Sequence, residues 1–132
     1  MYLRFTTQFI NPYGERETGI FMALKYFRDD YSATQNDDVV KLKALSAWFN
    51  QNLDKPTKLS NASNKSPANI SLSWFKDSSK EHINRIHELI EILERYDIVV
   101  ERITSKNPGY IVFEDEYQVS AVPFKPDRNR VI

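Results

Sequence analysis

Two histidines are the first candidates for chemistry, because few other side chains titrate near neutral pH. His82 and His87 are five residues apart, so on an α-helix their rings point about 140° away from each other. That separation does not suit a shared metal ion, which histidines at positions i and i+4 would bind. We expect His82 to be partly buried and hydrogen-bonded, and a role as general base is the alternative.

Three consecutive carboxylates, Glu114, Asp115 and Glu116, form the densest acidic group in the sequence. We call this segment the acidic bend, because a sharp turn there could direct its oxygens toward a hard cation such as Mg²⁺ or Ca²⁺. Successive strand residues face opposite sides of a sheet, however, and the spaced ligand loop of a calcium site is missing. The sequence favours a solvated turn that protects a sheet edge, with no metal or other cofactor.

Aromatic residues near charged ones provide candidate binding residues. Trp74 and Lys76 belong to a Trp-Phe-Lys segment that could make an exposed aromatic contact, although tryptophan at such a junction more often fills the core. Tyr110 and Tyr117 flank the acidic bend. Tyrosine and tryptophan are favoured at interface anchors, so we count all four residues as candidate binding residues.

Basic residues provide a second set of candidates. A polar segment at about 54–69 is rich in Ser, Asn, Lys and Pro, and we expect a long loop whose Lys58 could attract an anion. Arg16 precedes Thr18, which we expect to cap the first helix, and the free N–H groups of a helix start can bind an anion. No phosphate-binding GxxxxGK[ST] loop and no G-x-S-x-G serine elbow occur.

Hydrophobic periodicity indicates the elements that must position these residues. Apolar residues at helical spacing predict three helices, and alternating or β-branched segments predict short strands. The expected helices run from about Ile20 to Phe27, from Asn36 or Asp37 to Leu53, and over about 79–96; the expected strands cover 2–9, 70–75, 98–103, 110–113 and 117–122, with a turn at 11–14. We therefore predict an α+β fold, with a small antiparallel sheet made of a C-terminal meander plus an N-terminal strand, and about three helices on one face.

Composition limits the classes of function. The 132 residues suit one domain over 1–132, with a short tail at about 124–132. Lysine plus arginine balances aspartate plus glutamate at 18 each, which argues against nucleic acid as a partner. Cysteine is absent, and neither a signal-peptide profile nor an apolar run of membrane-spanning length occurs. We expect a cytoplasmic protein without a membrane partner.

Several strings of the sequence resemble a family of small uncharacterised bacterial proteins. The likeness rests on the Trp-Phe-Lys segment at 74–76 and on the string Pro-Gly-Tyr-Ile-Val-Phe-Glu-Asp-Glu at 108–116. The opening Tyr2-Leu3-Arg4-Phe5 and the segment 48–53 also fit. The resemblance implies a freestanding domain and carries no activity, cofactor or catalytic residue.

The sequence favours a non-catalytic binding module, a regulator, inhibitor or immunity-type domain, whose partner is another protein or a second copy. Its aromatic content, eight Phe, seven Tyr and two Trp, supports that function, because such side chains anchor interfaces. The alternative is a small enzyme or a small-ligand or nucleotide-binding protein that uses the acidic bend, a histidine and the basic segment around a pocket.

Overall fold

The computed structural model of the protein describes residues 1–55 and 70–124. Most of the expected polar segment at 54–69 and of the tail at 124–132 therefore lies outside the described residues. The predicted α+β class is confirmed, with three helices and an antiparallel sheet. The strands are β1 Tyr2–Thr6, β2 Gln8–Ile10, β3 Arg16–Thr18, β4 Leu72–Lys76, β5 Glu101–Ser105, β6 Tyr110–Glu114 and β7 Gln118–Val122; the helices are α1 Ile20–Asp29, α2 Asn36–Asn52 and α3 Lys80–Glu94.

Five strands form one sheet in the order β5-β1-β4-β7-β6, and β2 pairs with β3 separately. The pairs β1–β4, β4–β7 and β6–β7 are antiparallel. Of the expected C-terminal meander, β6 and β7 are neighbours in the sheet. Strand β5 does not join them, because it lies beside β1 at the other edge of the sheet. Strands β1 and β4 come from earlier parts of the chain and take inner positions, which the order of strands in the sequence does not reveal.

The connection between β2 and β3 is the predicted turn at 11–14. Asn11 is buried, and its Oδ1 accepts hydrogen bonds from the backbone N–H groups of Tyr13 and Glu15 at 2.9 and 3.0 Å. Gly14 has a φ of 83°, a conformation that glycine adopts without steric cost. The first expected strand ends earlier than predicted because Thr7, whose hydroxyl donates to the Val99 carbonyl oxygen at 2.6 Å, separates β1 from β2.

Helix α1 begins differently from the prediction. Thr18 is the last residue of β3, and Gly19 occupies the N-cap position without a side-chain cap. The φ of Gly19 is 115°, which disfavours any residue with a side chain, so a glycine replaces the expected threonine cap. The buried residues of this helix are Ile20, Ala23, Leu24 and Phe27, whereas Phe21 is 41% exposed.

The chain divides into two compact units, each assembled from segments distant in sequence. The first contains the described residues of Met1–Arg4, Lys55–Lys80 and Thr104–Ile132, and the second contains Phe5–Asp54 and Glu81–Ile103. Buried apolar residues of the first unit are Leu3, Trp74, Phe75, Val119 and Ala121. Those of the second are Phe5, Phe9, Ile20, Ala23, Leu24, Phe27, Leu42, Leu45, Phe49, Ile86, Leu89, Ile92 and Leu93. A single domain over residues 1–132 stays a prediction.

Candidate functional site

The acidic bend lies in the first unit, between β6 and β7, where two of its three carboxylates have partners within the fold. Glu114 forms an ion pair with the Lys76 ammonium at 2.7 Å. Asp115 accepts hydrogen bonds from the backbone N–H groups of Tyr117 and Gln118 at 2.8 and 3.0 Å. Its second oxygen accepts from the Gln118 amide at 3.1 Å. Glu116 is exposed. Over residues 1–55 and 70–124, no three His, Cys, Asp or Glu side chains form a group able to hold a metal ion.

The aromatic candidates of the same unit differ in exposure. Trp74 is only 8% exposed, and within the described part of the chain its Nε1 has no hydrogen-bond partner. Tyr110 is 61% exposed, and its ring lies edge-on to Phe124 at 4.8 Å between centroids. Tyr117 is half-buried, and its backbone carbonyl accepts from the Lys76 N–H and the Ser79 hydroxyl. Trp74 thus fills the core, as the alternative interpretation expected, and the binding role of these residues stays a prediction.

The string at 108–116 has a structural explanation. Gly109 has a φ of 136°, and a Cβ there would lie 2.1 Å from the Val122 carbonyl oxygen. Asp115 closes the connection through the hydrogen bonds described above. A register shift between Ile111 and Phe113 then accommodates one extra residue of β6 against β7. The most distinctive string of the sequence therefore contains residues that the hairpin itself requires.

The basic candidates are separated along the chain. Arg16 is the first residue of β3, where it is exposed and pairs across the strand with Ile10. It therefore belongs to a strand and not to the N-terminal turn of α1. Lys58 lies outside the described residues.

Both histidines lie on α3 in the second unit and contact different neighbours. His82 is buried, and its Nε2 lies 2.7 Å from the carbonyl oxygen of Asn52. Because a carbonyl oxygen only accepts, Nε2 carries the hydrogen that is donated. Asn52 is the last residue of α2, so this bond satisfies a carbonyl that the helix leaves without an internal partner. His87 is exposed, and its ring meets the Phe5 ring edge-on at 5.7 Å between centroids. The expected buried, hydrogen-bonded His82 is confirmed.

Helices α2 and α3 also form a groove that the sequence reading missed. Its cavity volume is about 530 Å³, and it is half open to solvent. We call it the α2–α3 groove and define it by its lining residues Lys41, Ala44, Leu45, Trp48, Arg85, Glu88, Glu91, Ile92 and Arg95. All of them belong to the second unit. The lining combines the buried side chains of Leu45 and Ile92 with exposed charged side chains, a combination typical of protein-binding surfaces.

Trp48 is held in place at one end of the groove. The guanidinium of Arg85 lies 5.2 Å from the centre of its ring, within the range of a cation–π contact. The ring of His82, also on α3, meets Trp48 edge-on at 4.8 Å between centroids. Arg85 is in turn positioned by Glu88 at 3.5 Å and Glu81 at 3.9 Å. The indole is half-buried, so a large aromatic surface remains available in a fixed orientation.

The opposite end of the groove contains a network around Asp38. The Arg95 guanidinium and the Tyr96 hydroxyl each donate to one oxygen of this buried carboxylate at 2.5 Å. The Tyr96 oxygen also accepts from the backbone N–H of Gln35, the N-cap of α2. The Arg95 bond and then the Tyr96 bond hold the pKa of Asp38 below its ordinary value. Burial, followed by the bond to Asp38, raises the pKa of Tyr96.

These contacts define how the two helices run along the groove. Asp38 lies beside Arg95, and Trp48 lies beside Arg85. From the first pair to the second, the chain advances ten residues on α2, from Asp38 to Trp48, but goes back ten residues on the other side, from Arg95 to Arg85. The two helices are therefore antiparallel. At a rise of 1.5 Å per residue the groove extends over about 15 Å, nearly three helical turns.

The residue spacing on α2 contains a pattern that could have indicated the groove. The core side of this helix buries Asp38, Leu42, Leu45 and Phe49. Lys41, Ala44 and Trp48 form a second row at positions i, i+3 and i+7 beside it. The apolar spacing of α2 does not reveal this second row, because periodicity does not distinguish a wide buried face from two adjacent faces.

Comparison with protein-family models, with curated proteins and with solved structures finds no match to this chain. The resemblance to small uncharacterised bacterial proteins stays a prediction, as does the enzymatic alternative built on the acidic bend. Within the described residues, no helix combines the length and apolar character that crossing a membrane requires.

Proposed function

We propose that the protein is a non-catalytic protein-interaction module, regulatory, inhibitory or of the immunity type, and that the α2–α3 groove is its binding surface. The observation that carries the proposal is the position of Trp48, half-buried at the groove wall with Arg85 at 5.2 Å and His82 at 4.8 Å. Tryptophan and arginine are among the residue types most enriched at the positions that dominate binding free energies.

The fixed orientation of Trp48 supports this proposal energetically. A free side chain that becomes ordered on binding costs about 0.5–1.5 kcal/mol. Contacts with Arg85 and His82 already restrict the indole before any partner arrives, which lowers that cost. The groove lining also contains the apolar residues Ala44, Leu45 and Ile92, from which a partner can remove water.

The shape and charge of the groove favour a protein segment over a small metabolite. Small-molecule sites bury most of their ligand in a mainly apolar cavity. Here the groove is half open, and charged side chains of both signs follow its length. A combination of exposed charges and apolar side chains matches the polar rim and apolar core of protein interfaces. The proposal further places the module in the cytoplasm, without a nucleic-acid partner, in keeping with the balanced charge of the sequence.

The test is recovery of the tagged protein from cells that make it naturally, with bound proteins quantified for wild type, Trp48→Ala and Tyr110→Ala. Tyr110 is the matched control, since it is an exposed aromatic residue of the other unit. We expect a stoichiometric protein with wild type and Tyr110→Ala, and its loss by at least about tenfold with Trp48→Ala. Retention with Trp48→Ala and loss with Tyr110→Ala would move the binding surface to the β6–β7 hairpin and contradict the proposal.

A further inference from the structure

Charges along the α2–α3 groove are paired unevenly. Arg95 bonds to Asp38, and Arg85 lies near Glu81 and Glu88. Among residues 1–55 and 70–124, no ion pair within 4.0 Å includes Lys41 or Glu91. Each groove wall therefore presents one charge outside these close ion pairs: the cation Lys41 on α2, which acts on Asp38 only at longer range, and the anion Glu91 on α3, which acts on Arg95 only at longer range.

These two charges lie at the same level along the groove. Asp38 is level with Arg95 and Trp48 with Arg85, so residue 41 of α2 is level with residue 92 of α3. Glu91 is one residue from that position, an offset of about 1.5 Å along the helix axis. At this height the groove thus presents a cation on α2 and an anion on α3, and a partner must present the reverse arrangement.

We infer that the α2–α3 groove binds the same groove of a second copy of this chain, which gives a two-fold symmetric dimer with four helices at its interface. This inference rests on the proposed function and adds a second, weaker partner to that same surface, one that recovery of stoichiometric proteins from cells does not detect. In a two-fold interface the same patch meets itself, so that if residue i contacts residue j, then j also contacts i.

One orientation of the symmetry axis satisfies the charges. A two-fold axis parallel to the groove leaves the height of every residue unchanged and places α2 of one copy over α3 of the other. Lys41 of each copy then faces Glu91 of the second copy, and Trp48 of each copy covers Arg85 of the second. Two cations and two anions that form no close ion pair among the described residues of one copy thus become two ion pairs. Facing helix pairs of this kind form the core of four-helix bundles.

The size of the groove indicates a weak, reversible dimer. A groove about 15 Å long is short for the roughly 1,200–2,000 Å² that stable complexes bury. Small polar interfaces of this kind are typical of transient association. We therefore expect dimers only at high protein concentration, approaching the millimolar range in which binding free energies are about −4 kcal/mol.

Sedimentation velocity at increasing protein concentration tests this inference with two opposite charge reversals. In the dimer, Lys41→Glu alone places two carboxylates against each other at both contacts, and Glu91→Lys alone places two ammonium groups against each other at both contacts. We expect each variant to dimerise at least about tenfold more weakly than wild type, because like charges face each other. In an equimolar mixture, the Lys41→Glu copy carries carboxylates at both positions and the Glu91→Lys copy carries ammonium groups at both, so each of the two contacts of a mixed dimer joins a carboxylate to an ammonium group. The mixture should therefore associate as wild type does, through mixed dimers. The double variant Lys41→Glu with Glu91→Lys restores both attractive pairs and should associate as wild type does.

The control for these charge reversals is Lys43→Glu, an equal charge change at an exposed α2 position outside the groove lining. We expect this variant to dimerise as wild type does. Weak wild-type dimers, single variants that stay monomeric and a dimerising double variant would support the inference.

The opposite results overturn it. A wild type that stays monomeric up to about 1 mM, single variants that dimerise as well as wild type, or a double variant that stays monomeric would each contradict the proposed dimer. Such a failure is distinguishable from failure of the proposed function, because a stoichiometric partner that depends on Trp48 would still identify the groove as a surface for a different protein.

Discussion

The β6–β7 hairpin and the α2–α3 groove differ in how easily they can be recognised from the sequence. The hairpin contains the most distinctive string of the chain, and its conspicuous residues have partners within the fold: Asp115 bonds its own turn, and Glu114 pairs with Lys76. The groove is built from ordinary helical residues, yet it holds Trp48 in a fixed, half-buried position. A conspicuous string can therefore record what folding requires, while a binding surface is assembled from inconspicuous positions.

The physical difference lies in where the polar groups are directed. In the hairpin, Asp115 and Gln118 satisfy backbone and side-chain donors that the turn would otherwise leave unpaired. In the groove, Lys41 and Glu91 line an open surface where the described fold leaves them without ion pairs. Substitutions in the first region should reduce stability, and those in the second should reduce association.

The largest expected effect is on stability, from Gly109→Ala. A Cβ at Gly109 would lie 2.1 Å from the Val122 carbonyl oxygen and 2.7 Å from its carbon, both backbone atoms that cannot rotate away. We expect the free energy of unfolding to fall by about 3–4 kcal/mol, measured by urea denaturation. Gly14→Ala is the control, because its φ of 83° is also positive but nothing lies within 4 Å of the added Cβ. That variant should lose only about 1 kcal/mol. Equal losses would show that the close approach at Gly109 is unimportant.

A smaller effect is expected within the acidic bend. Asp115→Ala removes the acceptor of two backbone N–H groups and of the Gln118 amide. Because these donors would be left unsatisfied, we expect the free energy of unfolding to fall by about 2 kcal/mol. The neighbouring Glu116→Ala, which truncates an exposed carboxylate, should change it by less than about 0.5 kcal/mol. Equal losses in both variants would contradict a role for the Asp115 hydrogen bonds and would indicate that the total charge of the acidic bend matters instead.

A pH-dependent effect smaller than the Asp115 loss should appear at the far end of the groove. The bonds from Arg95 and then Tyr96 lower the pKa of Asp38 in the folded protein. This carboxylate therefore contributes stability above its unfolded pKa, about 3.9, and the contribution disappears as the pH falls through the lower, folded pKa. Asp38→Asn should be less stable than wild type at pH 7, and the two denaturation midpoints should converge on acidification.

The control for this pH effect is Asp37→Asn. This substitution removes the same charge from the first turn of α2, but Asp37 is exposed and makes none of these hydrogen bonds. We expect no comparable convergence between this variant and wild type. A difference between Asp38→Asn and wild type that stays constant from neutral to acidic pH would contradict the role of the Arg95 and Tyr96 bonds.

Local patterns in the sequence predicted the elements better than they predicted their arrangement. The apolar spacing of α3 and the β6–β7 hairpin follows from neighbouring residues, and the buried His82 followed from its position on the α3 stripe. The position of β5 beside β1 depends on pairing between distant segments, which periodicity does not encode. Gly19 replaced the expected Thr18 cap because the backbone at that point requires a positive φ.

The candidate site was predictable only in part. Tyr110, Glu114 and Lys76 were named as candidate binding residues, and that role stays a prediction. The Lys76–Glu114 ion pair depends on the register of three strands, which the sequence does not state. Trp48 was not named as a site residue, since one helix face and two adjacent faces give the same apolar spacing. Arg85 and Glu91 had no distinguishing pattern, because charged residues on the outer side of a helix are the normal case.

The most direct test of the account is the solvent exposure of Trp48 as the protein is concentrated. The chain has two tryptophans, so Trp74→Phe leaves Trp48 as the only indole reporter, and its fold can be verified by circular dichroism. Acrylamide quenching of its fluorescence is then measured from dilute to concentrated solution. We predict that quenching decreases and the emission shifts to shorter wavelength as the second copy covers the groove, and that adding Lys41→Glu abolishes both changes. Quenching that is independent of concentration would contradict a groove that binds its own copy.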